Sequence, residues 1–237
     1  MPKKLKYVAL ISIAIWLSGC ASSRHLPKVE NAEKSFSERM ATYKAKKCCK
    51  SMSELIVTEF DDELIFTMEE NEDLISLDGE ETNYMLFSVA ESSEKLYYGI
   101  RSFYVDHKFA FIPKVSVLDK SFNVLGSTHP SFIQYQHQSL VWDDSHFWLY
   151  FSIDNSKNSG VAYVVIHQQE ELGSKFQISP RESTNIETTF INGQPISYSQ
   201  NATSFSFPTL VSPSGILVLQ KLSSWNKPIN NSIFYQF

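Results

Sequence analysis

Cysteine is scarce in this chain: 237 residues hold three, Cys20, Cys48 and Cys49. There is no second Cys pair and no His at ligand spacing from one, so the common cysteine-based zinc sites are excluded. No HExxH stretch and no GxSxG elbow occurs, which removes the sequence signatures of zincins and α/β-hydrolases. Basic residues are missing altogether from Ser51 to Glu94, where fourteen acids stand. Those acids do not follow the D-x-[DN]-x-[DN]-G spacing of a calcium loop. Long apolar runs are absent too. The best, Tyr7 to Trp16, is broken by Ser12 and falls short of the roughly 20 residues a membrane-spanning helix needs.

What is present begins at the N-terminus. Lys3, Lys4 and Lys6 precede the short apolar run, as in a secretory signal. Leu17-Ser18-Gly19-Cys20 follows and resembles the bacterial lipobox. The resemblance implies removal of residues 1–19 and acylation of the Cys20 thiol, the covalent lipid being the only group expected on the protein and no other cofactor. Several acyl chains on one Cys give stable membrane attachment where one chain would not. Ala21 stands where an Asp would hold such a protein at the inner membrane, so the expected address is the periplasmic face of the outer membrane. Setting aside the three signal lysines moves the net charge from −5 to −8. An acidic body argues against a nucleic-acid partner and against electrostatic attachment to anionic lipid.

Residues 20–47 read as a lipidated tether. Val29, Ala32, Phe36, Met40 and Tyr43 recur near helical spacing and predict a short amphipathic helix, either a solvated spacer or a docking element. Cys48 and Cys49 are then the free thiols in an oxidising compartment. Adjacent Cα atoms lie about 3.8 Å apart, whereas relaxed disulfides want roughly 4.4–6.8 Å. A bridge between these two would be strained, and it would act as a redox switch or merely pin a turn. Two small buried residues are the other reading.

From Ser51 onward the pattern is strand-like. The acidic stretch reads as edge strands and loops kept soluble by charge, with Asp78-Gly79 as a turn. Lys95–Val105 and Phe109–Leu118 are rich in Tyr, Ile, Phe and Val. Pro113 inside the second predicts an edge strand or a bulge. Asp119-Lys120-Ser121 predicts a tight turn between strands, Val161–Ile166 a buried strand, and Asn192-Gly193 a hairpin turn. Elements about ten residues apart with no long helix between them predict a mainly β fold: an antiparallel β-sandwich or jelly-roll-like domain with a short N-terminal tether and helix. The expected division is residues 48–170 as the β domain and residues 171–237 as a C-terminal β segment, completing the sandwich or forming a small second unit. Ile233, Tyr235 and Phe237 alternate at the end, as in a closing strand or the terminal signal of an outer-membrane barrel. The chain lacks the evenly repeated alternating strands of a barrel.

A family resemblance rests on a set of these segments. The Cys-Cys pair runs into Lys50-Ser51-Met52-Ser53-Glu54-Leu55, and Ile100-Arg101-Ser102-Phe103 follows. Phe111-Ile112-Pro113-Lys114-Val115-Ser116-Val117-Leu118-Asp119 comes next, then Phe122-Asn123-Val124, with Pro213-Ser214-Gly215-Ile216-Leu217-Val218 as a closing strand. This pattern resembles the maltose operon periplasmic protein (MalM) family over roughly residues 48–165. The resemblance implies a secreted role beside carbohydrate uptake, without a catalytic signature.

The richest candidate site lies between Leu140 and Ile153. Phe147, Leu149, Phe151 and Ile153 alternate with His146, Trp148, Tyr150 and Ser152. The first set reads as core. On the other face Trp148 and Tyr150, with Trp142, Asp143 and Asp144 just before, combine rings with carboxylates. That combination suits sugars, whose C–H faces stack on rings and whose hydroxyls bond acids. A strand buried on both faces is the plainer account. His107, His129, His137 and His167 show no ligand spacing. The expectation is a non-enzymatic, lipid-anchored accessory protein of maltodextrin-type transport, with a saccharide or an outer-membrane porin or transport protein as partner. The alternatives are an interaction lipoprotein of the envelope and a glycan-processing enzyme with an unrecognised carboxylate pair.

Overall fold

A computed structural model of the chain describes residues 35–48, 51–68, 73–77, 79–90, 94–105, 108–136, 145–154, 160–168, 171–177, 185–191, 194–200, 209–223, 227–228 and 230–237. Cys20 and the signal region, Cys49, and Trp142, Asp143 and Asp144 lie outside the described residues. No described helix is long and apolar enough to cross a membrane.

The chain enters through α1 (Phe36–Lys44). Ser35 caps it: the Ser35 hydroxyl accepts from the Glu38 N–H while Glu38 accepts from the Ser35 N–H, a reciprocal capping box. Its residues do not face water on all sides. Phe36 packs on Phe109 at 6.2 Å, and Tyr43 donates to the Glu81 carbonyl at 2.6 Å. Arg39 is 2% exposed and donates to Ser214 at 3.0 Å. The described part of the expected tether is therefore docked on the body.

Five short strands follow: β1 (Lys47–Cys48), β2 (Val57–Thr58), β3 (Glu63–Thr67), β4 (Asp73–Leu77) and β5 (Glu80–Thr82). The middle of the chain supplies β6 (Tyr84–Ser88), β7 (Lys95–Phe103), β9 (Pro113–Leu118) and β12 (His146–Asp154). Between them lie β8 (Phe109–Ala110), β10 (Val124–Ser127) and β11 (Ile133–Gln136). The C-terminal part supplies β13 (Tyr163–Gln168), β14 (Lys175–Phe176), β15 (Asn185–Ile191), β16 (Gln194–Gln200), β17 (Thr209–Val211), β18 (Ile216–Leu222) and β19 (Phe234–Gln236).

Two mostly antiparallel sheets dominate. One has the order β10-β9-β13-β6-β2, the other β11-β12-β7-β18-β3. β19 joins β12 as a parallel partner along Tyr150–Ser152, beyond the stretch that β11 covers. Alternation decides what faces inward. Phe147, Leu149, Phe151 and Ile153 of β12 meet Phe87, Val115, Val117, Val164 and Ile166 of the other sheet in one cluster. Burying a side chain of this size contributes roughly 1.5–3 kcal/mol. The fold is thus β-sandwich-like, as the strand spacing predicts. A second cluster lies on the opposite face of the five-stranded sheet. There Leu86, Leu118 and Val165 pack against Leu55, Ile75 and Leu77, so the small sheet β1-β4-β5 forms a partial third layer.

Residues beyond 170 are woven into this body: β18 lies between β7 and β3, and β17 between β14 and β8. From the C-terminal segment, β18 and β19 join the six-stranded sheet. β15 and β16 pair with each other, with Ile191 opposite Gln194, and the expected turn at Asn192-Gly193 lies outside the described residues. The turn after β9 is also as expected. The Asp119 carboxylate accepts from the Ser121 N–H at 2.7 Å and the Asn123 N–H at 2.9 Å, and Phe122 takes φ 63°. Pro113 requires a correction. It opens β9, an interior strand, opposite Gln168 and beyond the reach of β10, which ends at Ser127 opposite Ser116. The missing N–H therefore costs no ladder bond at that position.

Candidate functional site

The outward face of the six-stranded sheet is built from two nine-residue strands in register. β12 contributes His146, Trp148, Tyr150 and Ser152; β7 contributes Tyr97, Gly99, Arg101 and Phe103. Gly99 faces Tyr150 across the pair and leaves room for the rings beside it. The rings form one continuous row. Phe103 meets His146 at 5.1 Å, His146 meets Trp148 at 5.2 Å, and Trp148 stacks on Tyr150 at 4.9 Å and 13°. Tyr150 then meets Phe234 of β19 at 5.4 Å, and Phe234 meets Tyr97 at 5.2 Å.

Cations sit against this row. The Arg101 guanidinium lies 5.3 Å from the Trp148 ring and 5.8 Å from Phe103, and its Nη2 is 3.3 Å from Glu63 Oε2. Lys227 Nζ stands 3.7 Å over the Tyr97 ring. Such contacts are worth about 0.5–2 kcal/mol each, more when water is excluded. Burial pushes the Tyr150 hydroxyl well above its usual pKa, against the smaller opposing pull of Arg101.

Trp148 is only 7% exposed, and its ring is packed between Tyr150 and Arg101. The expected stacking platform is therefore internal at Trp148, which supports Tyr150 instead. Tyr150 and Tyr97 remain partly exposed. On the same face, Ser152 Oγ and Gln134 Nε2 are among the atoms buried without a hydrogen-bond partner. Ser152 lies in register between Tyr97 and Gln236, and Gln134 opposite Trp148.

Of the other expected residues, Cys48 pairs with Leu74 through the β1–β4 ladder, and its side chain lies outside what is described. His146 is buried in the aromatic row. His167 lies on the five-stranded sheet, 2.8 Å from Ser116 Oγ, which in turn lies 2.6 Å from Ser127 Oγ. Burial, helped by the Lys114 charge, pushes the His167 pKa down to about 3. Ser116 is 0% and His167 3% exposed, so this Ser–His pair is a satisfied element of the interior. Among the described residues, no group of three His, Cys, Asp or Glu is placed to hold a metal. Sequence reasoning did not assign Tyr97, Arg101 or Phe103 to the site. The odd-numbered alternation in β7 could have found them, whereas Phe234 and Lys227 reach the face only by tertiary contact.

No family model, no curated protein and no solved structure matches this chain. The functional reading rests on the residues themselves.

Proposed function

We propose that this protein is a lipid-anchored, non-enzymatic accessory protein at the periplasmic face of the outer membrane, binding a maltodextrin-type saccharide beside a transport partner. One observation carries the saccharide reading: the partly exposed rings of Tyr97 and Tyr150 stand on a sheet face that carries a continuous row of aromatic side chains. The C–H faces of a sugar stack on such rings. Contact falls to the partly exposed Tyr97 and Tyr150, stiffened from below by Trp148. The lipobox supports the anchor, and the strand segments that resemble the maltose operon periplasmic protein family support the setting.

The test is thermal unfolding of the full chain in detergent with a maltodextrin series and unrelated glycans. A ligand at 100 times its dissociation constant adds about 2.7 kcal/mol of stability. The expected result is a maltodextrin-specific shift that Tyr97→Ala abolishes while the variant still unfolds cooperatively without ligand. Flat curves across the series overturn the saccharide reading.

A further inference from the structure

The exposed large apolar side chains of the described residues are Ile56, Val57, Ile65, Val124 and Leu125. Ile65 lies on β3, which ends the six-stranded sheet, and it shares the outward face of that sheet with Val218, Arg101 and Trp148. Val57 lies on β2, which ends the five-stranded sheet, and shares the face of Leu86. Residues Glu59 to Asp62 join the two strands, so the two sheet ends lie on the same side of the sandwich. Phe60 fills the seam between the layers, edge-on to Phe87 at 5.2 Å. Ile56 is 81% exposed, Val57 36% and Ile65 43%.

Among the described residues, no strand pairs with the outer edge of β3. The Asp62 carbonyl accepts from Lys221, and the Met68 N–H donates to the Gly215 carbonyl. In an antiparallel pair, residues alternate between bonding the neighbour and facing away. The even-numbered residues of β3 therefore bond β18, and Ile65 and Thr67 turn their N–H and C=O groups to the outer edge. Such an edge is a template for another strand unless it is covered. Charge states what fits it. Glu59, Asp61 and Asp62 are exposed in the segment that leads into β3, and no Lys or Arg occurs from Ser51 to Glu94.

We infer that the β3 edge is a docking site for an extended, basic segment of a partner protein that adds as a further strand of the six-stranded sheet. The added strand takes its main-chain bonds from Ile65 and Thr67. It covers Ile65 with an apolar residue and sets Lys or Arg against the acids. The edge borders the ring-lined face, with Ile65 in register with Arg101 and Trp148, but the main-chain bonds do not use the rings.

The experiment is fluorescence anisotropy of the full chain with a labelled peptide of alternating Val and Lys. Its controls are the same peptide N-methylated at every second amide and a Val/Glu counterpart. Saturable binding is expected, weakened at least tenfold by N-methylation and by Ile65→Ser, weakened by salt, and absent for the Val/Glu peptide. Ile65→Ser changes an exposed residue, and an unchanged unfolding transition confirms that the variant is folded. No binding overturns the inference. Binding indifferent to N-methylation reduces the contact to charge and overturns strand addition. Self-association of the chain that Ile65→Ser abolishes assigns the edge to a second copy and overturns the basic partner.

Discussion

Gly99 faces Tyr150 across the β7–β12 pair, and a Cβ at Gly99 would meet both Tyr150 and Trp148 at 3.2 Å. The glycine is what lets the two rings stand face to face over the neighbouring strand. Gly99→Ala is expected to destabilise the fold by about 1–3 kcal/mol through overpacking. It should also redden the tryptophan emission as the stack loosens. Urea unfolding and fluorescence check both, and an unchanged midpoint would show that the rings yield freely.

The two buried serines of the sheet make a matched pair. Ser102 Oγ donates to the Phe111 carbonyl at 2.5 Å, whereas Ser152 Oγ has no such partner. Ser102→Ala should cost about 1–2 kcal/mol and Ser152→Ala close to nothing, because only the first breaks a buried bond. Equal losses in chemical denaturation would mean that Ser152 is satisfied in the ligand-free protein.

His167 titrates far below its ordinary 6.5, at about 3 in the folded protein. Between those values the unfolded chain binds a proton that the folded one refuses. Its contribution to stability is complete above about pH 6.5 and drains away as pH falls toward 3, by up to about 1.4 kcal/mol per pH unit. His167→Gln should flatten the decline between pH 6 and pH 4 by up to one proton's worth. Parallel stability curves for the two proteins would contradict this.

Arg101 is held by Glu63 at 3.3 Å and by the rings of Trp148 and Phe103. Its side chain is 7% exposed and that of Glu63 29%. Arg101→Ala should therefore cost about 2–4 kcal/mol and Glu63→Gln about 1 kcal/mol, since the carboxylate is partly screened by water. A double-mutant cycle measures the coupling, expected near 1 kcal/mol. A Glu63 variant as damaging as the Arg101 variant would show that the ion pair outweighs the ring contacts.

Much of the architecture was legible in local pattern. The alternation of Phe147, Leu149, Phe151 and Ile153 put these side chains in the core, and burial of all four follows from the two-residue period of a strand. The Asp119 turn was readable because turn chemistry is local. Pro113 misled because a missing N–H is tolerated in two ways, at an edge or at the first residue of an interior strand. Only the length of β10 distinguishes them. Trp148 misled for a related reason: alternation assigns a face, but not whether that face is already occupied.

What the sequence determined by itself was therefore the set of strands, their turns and the inward residues, all governed by spacings of a few positions along the chain. Tertiary structure decided which strands became neighbours. It set β18 between β7 and β3, brought Phe234 beside Tyr150, placed Glu63 on Arg101 and left Ile65 on an edge strand. These contacts join residues up to 157 positions apart, as between Glu63 and Gln220. They are settled by the joint packing of two sheets, which no local pattern encodes.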